Sequence, residues 1–148
     1  MELDNVDKNI LNELMIDSRY SYRDLAKKVK VSVATIMNRV KKLEKEKVIK
    51  RYTTVVDYDC IGYDVEVMIE IRISKGKLFN VEKEIASHPN VFAVYDLTGR
   101  FDAAVLARFK TRRQMDNFLK HIQTFDFIER TNTRMILNTI KEKEIGVR

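Results

Sequence analysis

The chain has 148 residues, enough for one large domain or two small ones, and its apolar content of 45% is ordinary for a globular protein. Its one cysteine, Cys60, excludes a disulfide within the chain, and no apolar run nears the roughly 20 residues that span a bilayer. The charge of +6 is uneven: residues 18–52 hold twelve basic and three acidic residues, and residues 1–17 one Lys and five acids. We therefore expect a cytoplasmic protein with an anionic partner, such as nucleic acid.

Helical spacing of apolar residues predicts three short helices near the amino terminus, at about 4–16, 22–29 and 33–46. Ser21 and Asp24 form a capping-box pattern at the start of the second helix, and Ser32 is the expected cap of the third. A turn of two residues, Lys30 and Val31, separates these helices, which is typical of a helix-turn-helix unit. The third helix is expected to bury Val33, Ile36, Val40 and Leu43.

The period of the sequence changes after residue 47. The β-branched residues of 48–56 predict a strand or wing, and residues 57–64 form a connector around Gly62. We predict domains at 1–50 and 65–148, with a linker strand or hinge at 51–64. The second domain is expected to be a βαββαβ ferredoxin-like plait, which makes the fold class α+β. Its predicted elements are strand 65–73, helix 78–88, strands 91–98 and 101–109, helix 112–123 and strand 133–140.

The predicted sheet has one apolar face and one mixed face. Val65, Val67, Ile69, Ile71 and Ile73 alternate along the first strand and are expected to lie under the helices. The other face is expected to hold Met68, Phe92, Val94, Ala104, Leu106, Ile136 and Ile140, beside Glu66, Glu70 and Asp96. Since a sheet that faces water shows cleaner alternation, we predict a homodimer through this face. A single-chain sheet that tolerates scattered apolar residues is the alternative.

The polar side of the third helix has the chemistry needed to read DNA. With Ile36 at the centre of the buried side, the side chains of the first turns are short or amide-bearing and suit base edges, whereas the later ones are cationic and suit phosphates. The start of the second helix adds donors for a phosphate. The predicted DNA-binding residues are Ser21, Arg23, Ser32, Ala34, Thr35, Asn38, Arg39, Lys41, Lys42 and Lys45.

Two other interpretations fit a basic helix. It can be a solvated lysine face on a surface helix, but the localised charge and the short turn favour DNA. It can also bind a membrane surface, but its exposed side lacks the Trp, Phe or Leu that would enter lipid.

The segment from Leu3 to Asp64 resembles the amino-terminal half of the Lrp/AsnC family of prokaryotic transcription regulators. The similarity runs through LDNVDKNILNELMIDSRYSYRDLAKKVKVSVATIMNRVKKLEKEKVIKRY, and the second half resembles the regulatory domain of the same family. The resemblance implies a DNA-binding unit joined to a dimerising plait, often assembled into tetramers or octamers. It also implies a small effector, commonly an amino acid. Lys30 and Lys47 stand where relatives often have Gly.

The family's Gly-x-Tyr-Asp motif corresponds here to residues 99–102, with Phe101 in place of the tyrosine. The Gly99 backbone can receive a carboxylate, Asp102 can pair with an ammonium group, and Thr98 or Thr133 can hydrogen-bond to the ligand. The predicted effector-binding residues are therefore Thr98, Gly99, Phe101, Asp102 and Thr133. A plain β-turn, with Asp102 bound to nearby backbone, is the alternative.

The sequence does not favour an enzyme. His88, His121 and Cys60 have neither metal-ligand nor catalytic-triad spacing, so we expect no metal, no cofactor and no catalytic residue. Two alternatives remain. One is an enzyme similar to the sirohaem decarboxylases, which resemble this family in fold, and the other is an amino-acid-sensing module that does not bind DNA.

Overall fold

The computed structural model describes residues 2–148, with the side chains of residues 78, 81 and 82 left aside. The chain forms two compact units. One comprises the residues through Val55 together with Lys141–Arg148, and the other comprises Val56–Ile140. Within residues 2–148, no helix combines the length and the apolar character needed to cross a membrane.

The first unit contains the three predicted helices. They are α1 (Asn5–Ile16), α2 (Tyr22–Val29) and α3 (Val33–Lys45). The predicted capping box is confirmed: the Ser21 side chain accepts a hydrogen bond from the Asp24 N–H, and the Asp24 carboxylate accepts one from the Ser21 N–H. A core of buried side chains holds the helices together, formed by Ile10, Leu11, Leu25, Ala26, Ile36, Val40 and Leu43.

Val33 does not belong to this core. Its predicted burial is wrong, because it lies in the first turn of α3 and is 43% exposed. The three other residues of the predicted stripe, Ile36, Val40 and Leu43, are buried as expected.

Two lysines end helical segments in the left-handed conformation. Lys30 follows α2 with φ 61°, and Lys47 follows α3 with φ 57°. These are the two residues that, by the resemblance noted above, stand where relatives often have Gly. Since an L-residue pays roughly 1–2 kcal/mol for this conformation, both turns carry local strain.

The predicted strand or wing at 48–56 is wrong. Residues 50–57 have no regular secondary structure and their side chains are exposed. A strand needs a neighbour to take up its backbone hydrogen bonds, and β-branched composition alone does not supply one. Among the described residues, no strand pairs with this stretch.

The carboxyl-terminal residues belong to the helical unit. The Asn12 side chain donates to the Val147 carbonyl at 3.0 Å and accepts from the Val147 N–H at 2.8 Å. Val147 also packs against the helical core. Residues 141–148 therefore lie against α1, with one side-chain amide satisfying both backbone groups of a residue near the end of the chain.

The second unit is the predicted plait. Its elements are β1 (Val65–Ile73), α4 (Leu78–Glu84), β2 (Val91–Asp96), β3 (Ala103–Phe109), α5 (Arg112–Ile122) and β4 (Ile128–Met135). The strand order is β2-β3-β1-β4, and every neighbouring pair is antiparallel. Alternate residues of β1 are buried on one face with Ile85 of the turn after α4 and Met115, Phe118 and Ile122 of α5.

The last strand lies five residues earlier than predicted. The sequence favoured 133–140 because its side chains are more apolar, but β4 spans Ile128–Met135 and pairs with β1 from Ile73↔Ile128 to Val67↔Met135. The register with β1 selects the polar stretch that directly follows Phe127. Ile140, expected in the sheet, is 94% exposed and outside it.

A bulge changes the expected faces of β2. The register shifts between Val91 and Ala93, so Val94 lies opposite Val105 and packs against the core instead of facing outward. Asp96 likewise lies opposite Ala103, which is buried. The outer face of β2 consequently presents Ala93 and Tyr95, opposite Leu106 and Ala104.

Candidate nucleic-acid interface

The amino-terminal turn of α3 is held by a hydrogen-bonded cap. The Ser32 hydroxyl oxygen accepts from the Thr35 N–H at 3.0 Å, and the two hydroxyl oxygens lie 2.8 Å apart. Only one of these hydroxyl groups can donate to the other, so one O–H remains available to a phosphate or a base.

The buried residues of α3 fix which side of the helix is exposed. With Ile36, Val40 and Leu43 in the core, residues about half a turn away must face outward. Ala34 and Asn38 are accordingly exposed on the first turns, followed by Lys41, Lys42 and Lys45. No ion pair between described side chains involves these three lysines. Small and amide groups therefore precede available cations along one surface.

Arg39 is held by acids within the helical unit. Its Nη1 atom lies 2.6 Å from an Asp4 oxygen and 3.2 Å from Asp7, whose side chain is only 1% exposed. The hydrogen bond to Asp4, with the charge of Asp7, raises the pKa of Arg39 further. The pKa of Asp4 is lowered, chiefly by the hydrogen bond that it accepts from the Asp7 N–H. Arg39 thus neutralises a buried carboxylate, and a DNA phosphate would have to compete with Asp4 and Asp7 for the guanidinium group.

The start of α2 offers one available cation. Ser21 uses its donors within the capping box, since its N–H and hydroxyl both lie within hydrogen-bond distance of Asp24 Oδ2. These hydrogen bonds lower the pKa of Asp24. Arg23 is exposed, and no ion pair between described side chains involves it. Of the two predicted phosphate contacts here, Arg23 thus has the available charge.

The sequence-based reasoning missed four residues beside this surface. A groove of about 640 Å³ lies between α2 and the start of α3, lined by Arg23, Ala26, Lys27, Lys30 and residues 31–33. Lys27 and Lys30 add positive charge to it. Val33 and Met37 are exposed apolar residues of α3, 43% and 37% accessible. Helical periodicity alone assigned Val33 to the core. The signal that could have identified it is the occurrence of a hydrophobic residue within a basic surface.

The predicted effector residues fall in two places. Thr98, Gly99, Phe101 and Asp102 lie in the loop between β2 and β3, where Gly99 has φ 108°. The Asp102 carboxylate accepts from the Ile73 N–H at 2.7 Å, and its own N–H donates to the Ile71 carbonyl. This is the backbone anchoring expected of a structured turn.

Thr133 lies on the other side of β1, opposite Ile69. Since two strand spacings separate β4 from β3, Thr133 is about 10 Å or more from the loop. One chain does not bring Thr133 and Asp102 to the two ends of the same small ligand.

Comparison with known proteins accounts for nearly the whole chain. Residues 3–44 match the model of the AsnC-type helix-turn-helix domain, and residues 66–145 match that of the Lrp/AsnC ligand binding domain. An HTH-type transcriptional regulator of Pyrococcus abyssi is 44% identical over 140 residues, covering 95% of each chain. The chain belongs to the Lrp/AsnC family. It is therefore a DNA-binding transcription regulator.

Solved structures of the Lrp/AsnC family have the same fold. AsnC of E. coli is 29% identical with a TM-score of 0.93, over 99% of this chain and 100% of that one. A transcriptional regulator of Neisseria meningitidis, solved as a complex with L-Met, is 21% identical with a TM-score of 0.89, over 99% and 97% of the two chains. At that identity the second likeness concerns the fold alone.

The family identification bears on the alternatives from the sequence. A transcription regulator binds DNA, which decides against a sensing module without DNA binding. The Lrp/AsnC relatives are regulators and not enzymes. Among the side chains that the structure describes, no group of three His, Cys, Asp or Glu is placed to hold a metal ion.

Proposed function

We propose that this regulator reads a specific operator through α3, binds as a homodimer, and responds to a small amino-acid effector in the cytoplasm. The observation that carries the DNA-reading part is the exposed surface of α3, where Ala34 and Asn38 precede lysines that form no ion pair with a described side chain. A helix with short and amide side chains first can approach base edges, and the cations that follow suit the phosphates.

The proposed DNA contacts differ in their chemistry. Asn38 can form two hydrogen bonds to adenine, and Thr35 can contact a base or a phosphate. Arg23, Lys41, Lys42 and Lys45 supply the charge. Ser21 and Ser32 cap the amino-terminal ends of α2 and α3 and so stabilise the helices that carry these contacts. Arg39 binds α3 to the acids of α1 instead of contacting DNA.

Selection of bound duplexes from fragments of the source genome tests operator reading. Two copies of α3 in successive major grooves should enrich near-palindromic sites with half-sites about one helical turn, or a small multiple, apart. Asn38→Ala should relax the preference at one base pair, by about 1–3 kcal/mol. Enrichment of no sequence, or an unchanged preference in Asn38→Ala, would contradict the proposal.

The outer face of the sheet supports the homodimer. Met68 and Leu106 lie opposite each other on this face, and Arg108 pairs with Glu66 at 2.8 Å. The Arg108 guanidinium also stacks 3.9 Å from the centre of the Phe92 ring. The charges of Glu66 and Arg108 are thus paired within the chain, which lowers the cost of covering them with a second copy.

Light scattering after size exclusion tests the dimer. Leu106→Glu should yield monomers because it places a charge in the proposed interface. Leu137→Glu is the matched control, since Leu137 is 85% exposed and outside the strands. A dimer that survives Leu106→Glu would exclude this face.

The loop at residues 97–102 is the proposed effector site. Gly99 lets the backbone present N–H groups to a carboxylate, and Asp102 can pair with an ammonium group. The L-Met complex of the Neisseria regulator makes methionine a reasonable first ligand to try. Because Thr133 lies apart, we propose that it reaches a ligand only from a second copy of the chain.

A thermal-shift screen against amino acids tests this site. A ligand at 100 times its Kd should stabilise the protein by about 2.7 kcal/mol. Asp102→Asn keeps an acceptor for the Ile73 N–H and removes the charge, so it should abolish the shift without unfolding the loop. A screen in which no amino acid shifts the wild-type midpoint, or in which Asp102→Asn shifts as much as wild type, would exclude the proposed effector site.

A further inference from the structure

Two exposed apolar side chains interrupt the polar surface of α3. Val33 and Met37 are 43% and 37% exposed, and they stand four residues apart, so they share one flank of the helix. The core of the helical unit is built without them. Both side chains are therefore available for a contact outside the helical core.

The charges on either side of α3 show which flank suits a polyanion. On the Val33 flank, the groove that Val33 lines also contains Arg23 and Lys27. On the opposite flank, Arg39 is already paired with Asp4 and Asp7. Arg23 and Lys27 attract phosphates to the first flank. On the second flank the charge of Arg39 is neutralised, and Lys42, three residues further along α3, is the exposed cation. DNA that contacts Arg23 and Lys27 as well as the lysines of α3 therefore passes over Val33 and Met37.

We propose that Val33 and Met37 contact the C5-methyl groups of thymines in the major groove, and that they set a preference for thymine in each half-site. Thymine is the DNA base whose major-groove edge carries a methyl group, and apolar side chains distinguish it by that group. Ala34, between them in sequence, is short enough not to hold the helix away from the bases. This inference rests on the proposed reading of DNA through α3 and names the chemistry that it recognises.

Replacement of thymine by deoxyuridine tests the contact, since it removes only the methyl group. A duplex selected from a random library with the full-length protein is the probe, and its thymines are replaced one at a time. Loss of one buried methyl should weaken binding about fourfold, equivalent to about 0.8 kcal/mol. We expect such a penalty at one or two thymines per half-site, and we expect Val33→Ala or Met37→Ala to abolish it at one of them.

Two variants separate the contact from general effects. Met37→Leu should retain the penalty, because leucine keeps an apolar side chain of similar size. Lys42→Gln should weaken binding to the thymine duplex and to the deoxyuridine duplex equally, so the ratio of the two affinities should not change. Val33 and Met37 are exposed, so their alanine variants should fold, which circular dichroism checks.

The outcomes distinguish this inference from the proposed function. Sequence-selective binding with no deoxyuridine penalty, or with a penalty equal in wild type and in both alanine variants, overturns the thymine contact alone. A chain that enriches no duplex overturns the reading of DNA through α3 and this inference with it.

Discussion

Salt dependence tests which cations of the helical unit touch DNA. Arg23, Lys41, Lys42 and Lys45 are exposed, and no ion pair between described side chains involves them. A dimer would thus place about eight cations on phosphates, and at about 0.9 per contact log affinity should fall with log salt at a slope of about −7. Between 50 and 200 mM salt the affinity should drop roughly 10⁴-fold.

One lysine can be removed from this set without touching the fold. Lys42→Gln takes one cation from each half-site, so the slope should shrink by about 1.8 and the drop in affinity to roughly 10³-fold. Fluorescence anisotropy with a labelled operator at four or five salt concentrations measures both. An unchanged slope would remove Lys42 from the phosphate contacts.

Arg39 provides the matched comparison. Its guanidinium is bound to Asp4 and to the buried Asp7, so Arg39→Gln should leave the salt slope nearly unchanged. It should instead lower the thermal midpoint, because a buried carboxylate loses its partner. Adding Asp7→Asn should recover part of that loss. If Arg39→Gln reduced the slope as much as Lys42→Gln, the distinction between supporting and contacting cations would be wrong.

Three further predictions concern stability. Lys47→Gly should raise the free energy of unfolding by up to about 1 kcal/mol in chemical denaturation, because it relieves a φ of 57°; Lys47→Ala, which keeps the strain, is the control. Burial, with a smaller effect of His121, lowers the pKa of His88 from 6.5. The unfolded chain therefore binds a proton first, so the thermal midpoint should fall as the pH drops below about 6.5, and less in His88→Gln. Asn12→Ala loses two hydrogen bonds to Val147 and should destabilise the protein by about 1–3 kcal/mol, and removal of residues 147–148 should then cost less in Asn12→Ala than in wild type.

Local chemistry was enough to predict the three helices of the first unit, whereas the helix predicted at 78–88 ends at Glu84. Ser21 with Asp24, and Ser32 with the apolar spacing that follows, mark helix starts within a few residues, and α2 and α3 begin where these residues indicate. β1 was also predicted at its observed bounds, since its alternation is unbroken over nine residues. These signals lie within the element itself, so no knowledge of the tertiary partner is required.

Pairing and burial required information from distant residues. β4 was misplaced because the register with β1 selects a polar stretch over a more apolar one. Val94 was assigned to the wrong face because one bulge in β2 reverses the alternation after it. The partner of Arg39 lies 35 residues away, and no spacing within α3 reveals it.

The same long-range information decides what a basic surface can do. Within α3, Arg39 and Lys42 look alike in the sequence, yet Arg39 is bound by the acids of α1 whereas Lys42 is exposed. Because α1 neutralises Arg39, the attraction for a polyanion shifts toward the flank that carries Val33 and the Arg23 groove. The acids of α1 thus determine which cations around α3 remain available to phosphates. The position of the phosphates in turn determines which bases α3 can reach.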